Sequence, residues 1–330
     1  MTQETTNITA DAVALQERDE FRSQGWVKLI APAKVNLHLA IGARRDDGYH
    51  EATTIMHALT LHDVVYLHHA IPDGAEVDKA IRRGEPHVRM VSCGDVVAPD
   101  ISSRQNIAAR AVVELARQIG REDAALQIRI EKNIPAQGGL GGGSSNAAAA
   151  LVGAAHLWGL GADDPAIERA ARMLGSDVAF FLHGGCSCYE GTGEVFVRSL
   201  EPSKRAVALV KPEGGVSTAE AYRTFDADPV PVPPDVERGI LAATSASEVA
   251  LFNNLAPASE KLMPELFRIR EWLCAQPDVE DALLCGSGAT TFALCDDFAA
   301  ACRVVAQARK LGYWARATSF GSLRVMMVSS

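Results

Sequence analysis

The sequence predicts an α+β protein of two domains behind a short polar extension. Three observations predict it. Residues 26–69 alternate apolar and polar side chains at the period of strands, and from about residue 259 onward helix-like and strand-like patterns alternate. Between these regions, the run Gln137 to Asn146 carries five glycines and leads straight into an alanine-rich helix. A chain of 330 residues is about twice a typical domain, so core size sets no obstacle to the division. The boundaries read from the patterns are an extension over 1–24, expected to be disordered, an N-terminal domain over 25–200 and a C-terminal domain over 201–330.

The first region suggests several strands, with Val35, Leu37, Leu39 and Ile41 and then Val64, Val65 and Leu67 on their apolar faces. Asp46-Asp47-Gly48 supplies a turn between two of them. Residues 72–86, with Pro, Gly and mixed charge, read as an exposed loop or hairpin tip. Ala108, Ala111, Val112, Leu115 and Ile119 share one face of a helix over about 105–119, and a strand follows near 125–131. After the glycine run come a helix to about Trp158 and a second from Pro165 to Leu174, opened by Asp163-Asp164. Gly175-Ser176-Asp177 breaks that helix before the apolar run Val178 to Leu182. A buried strand over 206–210 and a proline-dense extended segment over 226–234 precede a helix near 259–275. Strands near 282–285 and 291–295, a helix near 297–310 and strands near 314–318 and 323–328 complete an α/β sandwich.

Composition narrows the function. Hydrophobic residues make up 48% and charged residues 22%, as in ordinary globular enzymes. A net charge of −9 argues against a nucleic-acid or membrane-surface partner, which calls for a basic patch. Any anionic substrate must then be held by local amides and a few placed lysines. The seven cysteines, odd in number and mostly in apolar surroundings, read as reduced thiols in the cytoplasm. Cys186-Ser187-Cys188 lacks zinc-type spacing and reads as a strand. Residues 1–24 resemble neither a secretory signal nor a transit peptide, and no stretch is apolar enough to span a bilayer. No obligate protein partner is evident.

The glycine run is built to hold phosphate. Glycines allow positive φ and close backbone approach, and the free N–H groups at the start of the next helix attract an anion. Ser144 and Ser145 can cap that helix or turn a hydroxyl toward a phosphate or its Mg²⁺. A Walker loop fails because Gly143 is not followed by Lys-Ser or Lys-Thr. A dinucleotide fingerprint fails because its third glycine position is Ser144 and six residues, Lys132 to Gln137, separate the first glycine from the preceding strand. A flexible linker would not join a strand to a strong helix within one compact segment.

Four further segments are candidates to converge on this loop: Ala31-Pro32-Ala33-Lys34-Val35-Asn36, Asp47-Gly48-Tyr49-His50, Leu174-Gly175-Ser176-Asp177-Val178 and Gly286-Ser287-Gly288-Ala289-Thr290-Thr291. Singly each is weak: a solvated lysine, a turn aspartate or a Gly-Ser-Gly turn would explain it. Together and in this order they resemble the GHMP kinases, the superfamily of galactokinase, homoserine kinase, mevalonate kinase and phosphomevalonate kinase. The resemblance runs from Trp26 to about Val328. It implies an N-terminal domain like ribosomal protein S5 and a ferredoxin-like C-terminal α/β sandwich.

Within that superfamily, the lysine strand followed by Gly-Tyr-His is similar to the branch that acts on a cytidyl substrate. The resemblance implies ATP-dependent phosphorylation of the 2-hydroxyl of 4-diphosphocytidyl-2-C-methyl-D-erythritol, with Mg²⁺. Homoserine or mevalonate phosphorylation and a catalytically silent nucleotide-binding protein are the alternatives; the first has no need of Tyr49-His50, the second none of Lys34 with Asp177. By motif, Lys34 and Asp177 form the catalytic pair. ATP falls on Gly138, Gly139, Leu140, Gly141, Gly142, Gly143, Ser144, Ser145 and Asn146, with Asn106 near the base and Lys132 near the phosphates. Mg²⁺ arrives with ATP, near Ser144 or Ser145, because no carboxylate cage is visible. Asn36, Tyr49 and His50 match substrate positions, and Gly286, Ser287 and Gly288 a segment that approaches the substrate phosphates or braces the glycine loop. The second aromatic of the cytosine sandwich falls on Cys188 by strict register, with Tyr189 beside it. Tyr189 serves only if that strand bulges or shifts by one.

Overall fold

The structure, a computed structural model, describes residues 25–46 and 48–328. The extension 1–24 and Asp47 of the predicted turn lie outside the described residues. Two long strands, β1 (Val27–Arg44) and β2 (His50–His69), form an antiparallel hairpin that organises the N-terminal half. The several strands read over 26–69 are these two. Their apolar alternation buries Leu29, Ala31, Val35, Val65 and Leu67 completely.

The first sheet follows the order β12-β1-β2-β4-β3, where β3 is His87–Ser92, β4 is Leu126–Lys132 and β12 is Met326–Met327. The far half of β2 pairs with β4, and its near half, Thr54 to His57, pairs with β5 (Cys186–Glu190), which pairs in turn with β6 (Val195–Leu200). A two-residue strand β8 (Phe252–Asn253) lies parallel to β1. The second sheet has the order β11-β7-β10-β9, with β7 at Ala206–Lys211, β9 at Val279–Leu284, β10 at Thr291–Cys295 and β11 at Trp314–Ser319. Its strands are antiparallel throughout, and the helices Pro264–Cys274 and Phe298–Lys310 pack on it, as in a ferredoxin-like sandwich. Both β8 and β12 return from the C-terminal half of the chain to the first sheet.

The helix that follows the glycine run, Gly142–Leu157, is buried nearly all round, with Ala147 to Ala150 at 0% exposure. Alanine gives it helix propensity and a thin profile. A Cβ at Gly153 would come within 2.7 Å of Leu67, so the helix lies close against the β1–β2 hairpin. Helices Ile107–Gln118 and Pro165–Leu174 complete this layer, the latter started by Asp164 accepting from the Ala166 amide with Pro165 next to it.

Three expectations change. Residues 75–81 form a short helix, not a loop, because Val77 finds a buried place and Glu76 and Asp78 suit its first turn. The helix read over 259–275 is two, Ala256–Leu262 and Pro264–Cys274: Pro264 lacks an N–H and turns Met263 out of helical geometry, to φ −137°. The final strand shrinks to Met326–Met327, opposite Ile30 and Leu29.

Candidate active site

Lys34 and Asn36, two apart on β1, face the same side, and each is 4% exposed. The pairing with β2 shifts register just before Lys34 and again just after Asn36, so irregular backbone flanks the pair. A single line of hydrogen bonds fixes both side chains. Lys34 Nζ donates to Asn36 Oδ1 at 2.8 Å, Asn36 Nδ2 to Thr54 Oγ1 at 2.8 Å, and Thr54 Oγ1 to the His38 carbonyl at 2.8 Å. Asn36 thus accepts at Oδ1 and donates from Nδ2, which gives its amide a defined orientation.

The Lys34 ammonium also stands 3.4 Å from Asp177 Oδ2. Asp177 is in the first turn of the helix Ser176–His183, where the positive end of the backbone dipole favours a carboxylate. Its side chain is 33% exposed while that of Lys34 is 6% exposed, so the carboxylate is the partner that opens outward. It opens into a cavity of about 330 Å³ whose lining includes Lys34, Asn36, Thr54, Ser144, Asp177 and Tyr222.

The glycine loop forms the adjoining wall. The Lys34 amide donates to the Leu140 carbonyl at 3.0 Å and ties the loop to β1, while the Leu140 side chain is buried. Gly139 and Gly141 take φ of 71° and 69°, and each sits where a side chain has no room. A Cβ on Gly139 would strike the Cys285 carbonyl, and one on Gly141 would come within 2.7 Å of the Phe181 ring. The Gly286-Ser287-Gly288 turn braces this loop: the Ala289 amide donates to Gln137 O at 3.2 Å and the Thr290 amide to Gly138 O at 3.1 Å. Asn253 holds the turn through the Leu284 and Gly286 carbonyls. Ser287 Oγ meets Thr218 Oγ1 at 2.9 Å, so the turn and the helix Thr218–Ala227 touch over the cavity.

Beneath the loop lies a buried polar cluster. Asp63, at 0% exposure, accepts from the Asn133 and Ile134 amides at 2.7 and 2.9 Å, from Asn146 Nδ2 at 2.9 Å and from the Lys132 ammonium. Lys132 Nζ also donates to Asn146 Oδ1 at 3.1 Å and lies under Gly142. The sequence assigned Lys132 and Asn146 to ATP; the structure engages both side chains with Asp63, in line with the usual pairing of buried charges. Asn106 caps the helix Ile107–Gln118, accepting from the Ala108 amide at 2.9 Å, and its amide nitrogen faces Met90 Sδ. It is thereby a helix-start residue. Ser144 lines the cavity whereas Ser145 is fully buried, so the hydroxyl on the cleft side is that of Ser144.

The base pocket needs a correction. The pairing of β5 with β6 does shift register between Cys188 and Tyr189, as the Tyr189 assignment required. Yet Tyr189 is 0% exposed, its ring set edge-on to Phe180 and Phe196, its hydroxyl without a partner among the described residues. It is a core residue. The aromatic that reaches the cavity is Tyr222, whose ring stands tilted at 5.6 Å from that of His50. Burial, and secondarily the negative charge of Asp177, hold its hydroxyl pKa above the ordinary tyrosine value. Ser217 caps the helix Thr218–Ala227, which carries Tyr222 to this face. His50 is 8% exposed at its side chain, with Nδ1 3.0 Å from the Gly42 carbonyl and Nε2 2.8 Å from Asp226 Oδ1. Tyr49, next to it in the chain, is 66% exposed.

The geometry joins a phosphate-type loop to an ammonium–carboxylate pair and a cavity that Tyr222 lines. Family models match at both levels: residues 106–185 match the GHMP kinases N terminal domain and residues 240–313 the GHMP kinases C terminal. The chain is 36% identical over 272 residues to a 4-diphosphocytidyl-2-C-methyl-D-erythritol kinase of Desulfitobacterium hafniense, covering 81% of this chain and 87% of that one. It is 39% identical over 272 residues to the protein of that name from a Nocardioides species, covering 80% and 87%. A crystal structure of 4-(cytidine 5'-diphospho)-2C-methyl-D-erythritol kinase superposes with a TM-score of 0.69 at 30% identity, over 89% of this chain and 99% of that one. A homoserine kinase from Cytophaga hutchinsonii, at 17% identity and a TM-score of 0.65, shares the fold.

Proposed function

Because the chain belongs to the GHMP kinases, and within them to the 4-diphosphocytidyl-2-C-methyl-D-erythritol kinases, we propose that this cleft transfers the γ-phosphoryl group of ATP to the 2-hydroxyl of 4-diphosphocytidyl-2-C-methyl-D-erythritol. The family is one of ATP-dependent small-molecule kinases in the non-mevalonate route to isoprenoid precursors. The observation that carries the reading is the Lys34–Asp177 pair at the open end of the glycine loop.

In the transfer, the substrate oxygen forms a bond to the γ-phosphorus as the bond from phosphorus to the β,γ-bridging oxygen breaks, and ADP leaves. Asp177 orients the hydroxyl and accepts its proton; Lys34, already held by Asn36, offsets negative charge between hydroxyl and phosphoryl oxygens. An ammonium next to a carboxylate makes it a weaker base, and this suits a loose transition state in which positioning outweighs proton abstraction. The loop amides and the first turn of the helix Gly142–Leu157 receive the phosphates.

Mg²⁺ delivered on phosphate oxygens suits a cavity that Ser144 lines, since a serine hydroxyl can join phosphate oxygens and water around the ion. Bound there, the ion would neutralise charge on the phosphate oxygens. The aromatic side chain at the cavity, Tyr222, with the His50 ring tilted against it, supports a place for the cytosine on this side, and Tyr49 precedes His50 in the chain. The ATP requirement and seven thiols outside any disulfide support a cytoplasmic site of action. The test is identification of the product: ADP and a substrate phosphate at the 2-position, formed by the parent protein and lost in Asp177→Asn.

A further inference from the structure

Thr54 stands on β2 between two partner strands, opposite Leu39 of β1 and Tyr189 of β5, and is buried where it lines the cavity. Its methyl lies toward the Gly193 turn, where a Cβ would meet it at 3.9 Å, and its hydroxyl donates to the His38 carbonyl at 2.8 Å. A threonine hydroxyl carries one proton. With that proton given to a backbone carbonyl, Oγ1 can only accept from Asn36. Asn36 must then turn Nδ2 to Thr54 and Oδ1 to Lys34; reversed, its amide would set a donor against an ammonium. The result is an unequal hold on Lys34 Nζ, 2.8 Å to Asn36 Oδ1 and 3.4 Å to Asp177 Oδ2. The first is an ordinary hydrogen-bond length, and the second is a looser ion pair.

We propose that Thr54 is a positioning residue for the transfer: its hydroxyl fixes the polarity of Asn36, and the oxygen that Asn36 then presents keeps the Lys34 ammonium from closing on Asp177. Without that oxygen the ammonium has the carboxylate at hand as its acceptor, and a close charge-assisted bond would tie up an oxygen that the substrate proton needs. The proposal rests on the reading of Lys34 and Asp177 above and adds the reason that their separation is kept. Thr54 acts through Asn36 and Lys34, so its hydroxyl governs rate rather than the binding of either substrate. A hydroxyl that merely satisfied a buried asparagine would move stability alone.

The test compares kcat and both KM values, with Mg-ATP and 4-diphosphocytidyl-2-C-methyl-D-erythritol, in the parent, Thr54→Val, Thr54→Ser, Asp177→Asn and the double variant Thr54→Val with Asp177→Asn. Thr54→Val keeps the methyl packing and removes the hydroxyl, so kcat should fall about tenfold or more with both KM values within about twofold. Thr54→Ser keeps the hydroxyl and should hold kcat within about threefold of the parent. With Asp177→Asn there is no carboxylate to close upon, and adding Thr54→Val should cost less than about twofold. The proposal is overturned if Thr54→Val turns over like the parent, if Thr54→Ser loses as much as Thr54→Val, or if Thr54→Val costs as much with Asp177→Asn as without it. Failure of the underlying reading shows elsewhere: a parent inactive on the cytidyl compound overturns the substrate, and Asp177→Asn as fast as the parent overturns the catalytic pair. If Thr54→Val does not fold, Thr54→Cys decides: its weaker hydrogen bonding should lower kcat at unchanged KM, and a kcat equal to the parent's would overturn the proposal.

Discussion

The ammonium of Lys34 lies 3.4 Å from the carboxylate of Asp177, the one on a strand and the other at the start of a helix. Lys34 is held in place from behind by Asn36 and Thr54, and its backbone is tied to the glycine loop at Leu140. Displacement of the loop therefore displaces the lysine. In the proposed transfer, chemistry and phosphate binding would share one support.

Asp177→Asn keeps the shape of the site and removes the proposed proton acceptor. Turnover should fall by about a hundredfold to ten-thousandfold, with ATP affinity nearly unchanged. Steady-state rates with isothermal ATP titration check this; turnover equal to the parent's would remove Asp177 from the mechanism.

Gly139→Ala forces a side chain into a left-handed position against the Cys285 carbonyl. The backbone conformation alone costs about 1–2 kcal/mol, and the collision must shift the loop as well. A lower melting temperature together with a raised KM for ATP is the predicted result. A change in stability alone would separate this glycine from nucleotide binding.

Tyr222→Ala and Tyr189→Phe should behave in opposite ways. Loss of one stacking face should weaken the cytidyl substrate by about 1–3 kcal/mol. Removal of the Tyr189 hydroxyl, buried without a partner, should leave substrate KM unchanged and stability equal or slightly higher. The reverse pattern would restore Tyr189 to the base pocket.

Asp63→Ala leaves the Lys132 ammonium buried without its carboxylate and frees the Asn133 and Ile134 amides. Breaking such a pair costs about 3–5 kcal/mol. Urea denaturation should report that loss, and KM for ATP should rise because the cluster supports the loop helix from below.

Burial pushes His38 and His57 down to about 4, from an ordinary value of 6.5. Below pH 6.5 the unfolded chain takes up protons that the folded chain refuses, so stability is full above that pH and declines toward pH 4. The slope approaches about 1.4 kcal/mol per pH unit for each histidine. Urea midpoints at pH 7.5, 6.0 and 5.0 should fall in that order; a flat profile would contradict the burial of both rings.

The glycine loop was legible because its chemistry is local: five glycines and a helix start are one contiguous signal. That Lys34 and Asp177 come together was legible through the motifs around them. Tyr222 was not, because a helix far along the chain delivers it to the site. Tyr189 misled for a related reason: the local bulge was anticipated, but its side is decided by Phe180 and Phe196, which no local pattern reveals. Lys132 and Asn146 were read toward the phosphates because Asp63, on another strand, gives no sign in sequence of lying beneath them. Fold class depended on periodicity and carried through, while helix ends at Pro264 and residues 75–81 turned on single residues.

The most direct measurement is ADP release with Mg-ATP, comparing 4-diphosphocytidyl-2-C-methyl-D-erythritol with homoserine, mevalonate and galactose. The account predicts turnover with the cytidyl compound and none above background with the other three. Turnover with one of those alcohols and not with the cytidyl compound would contradict the assigned pocket, and silence with all four would contradict the kinase assignment of this cleft.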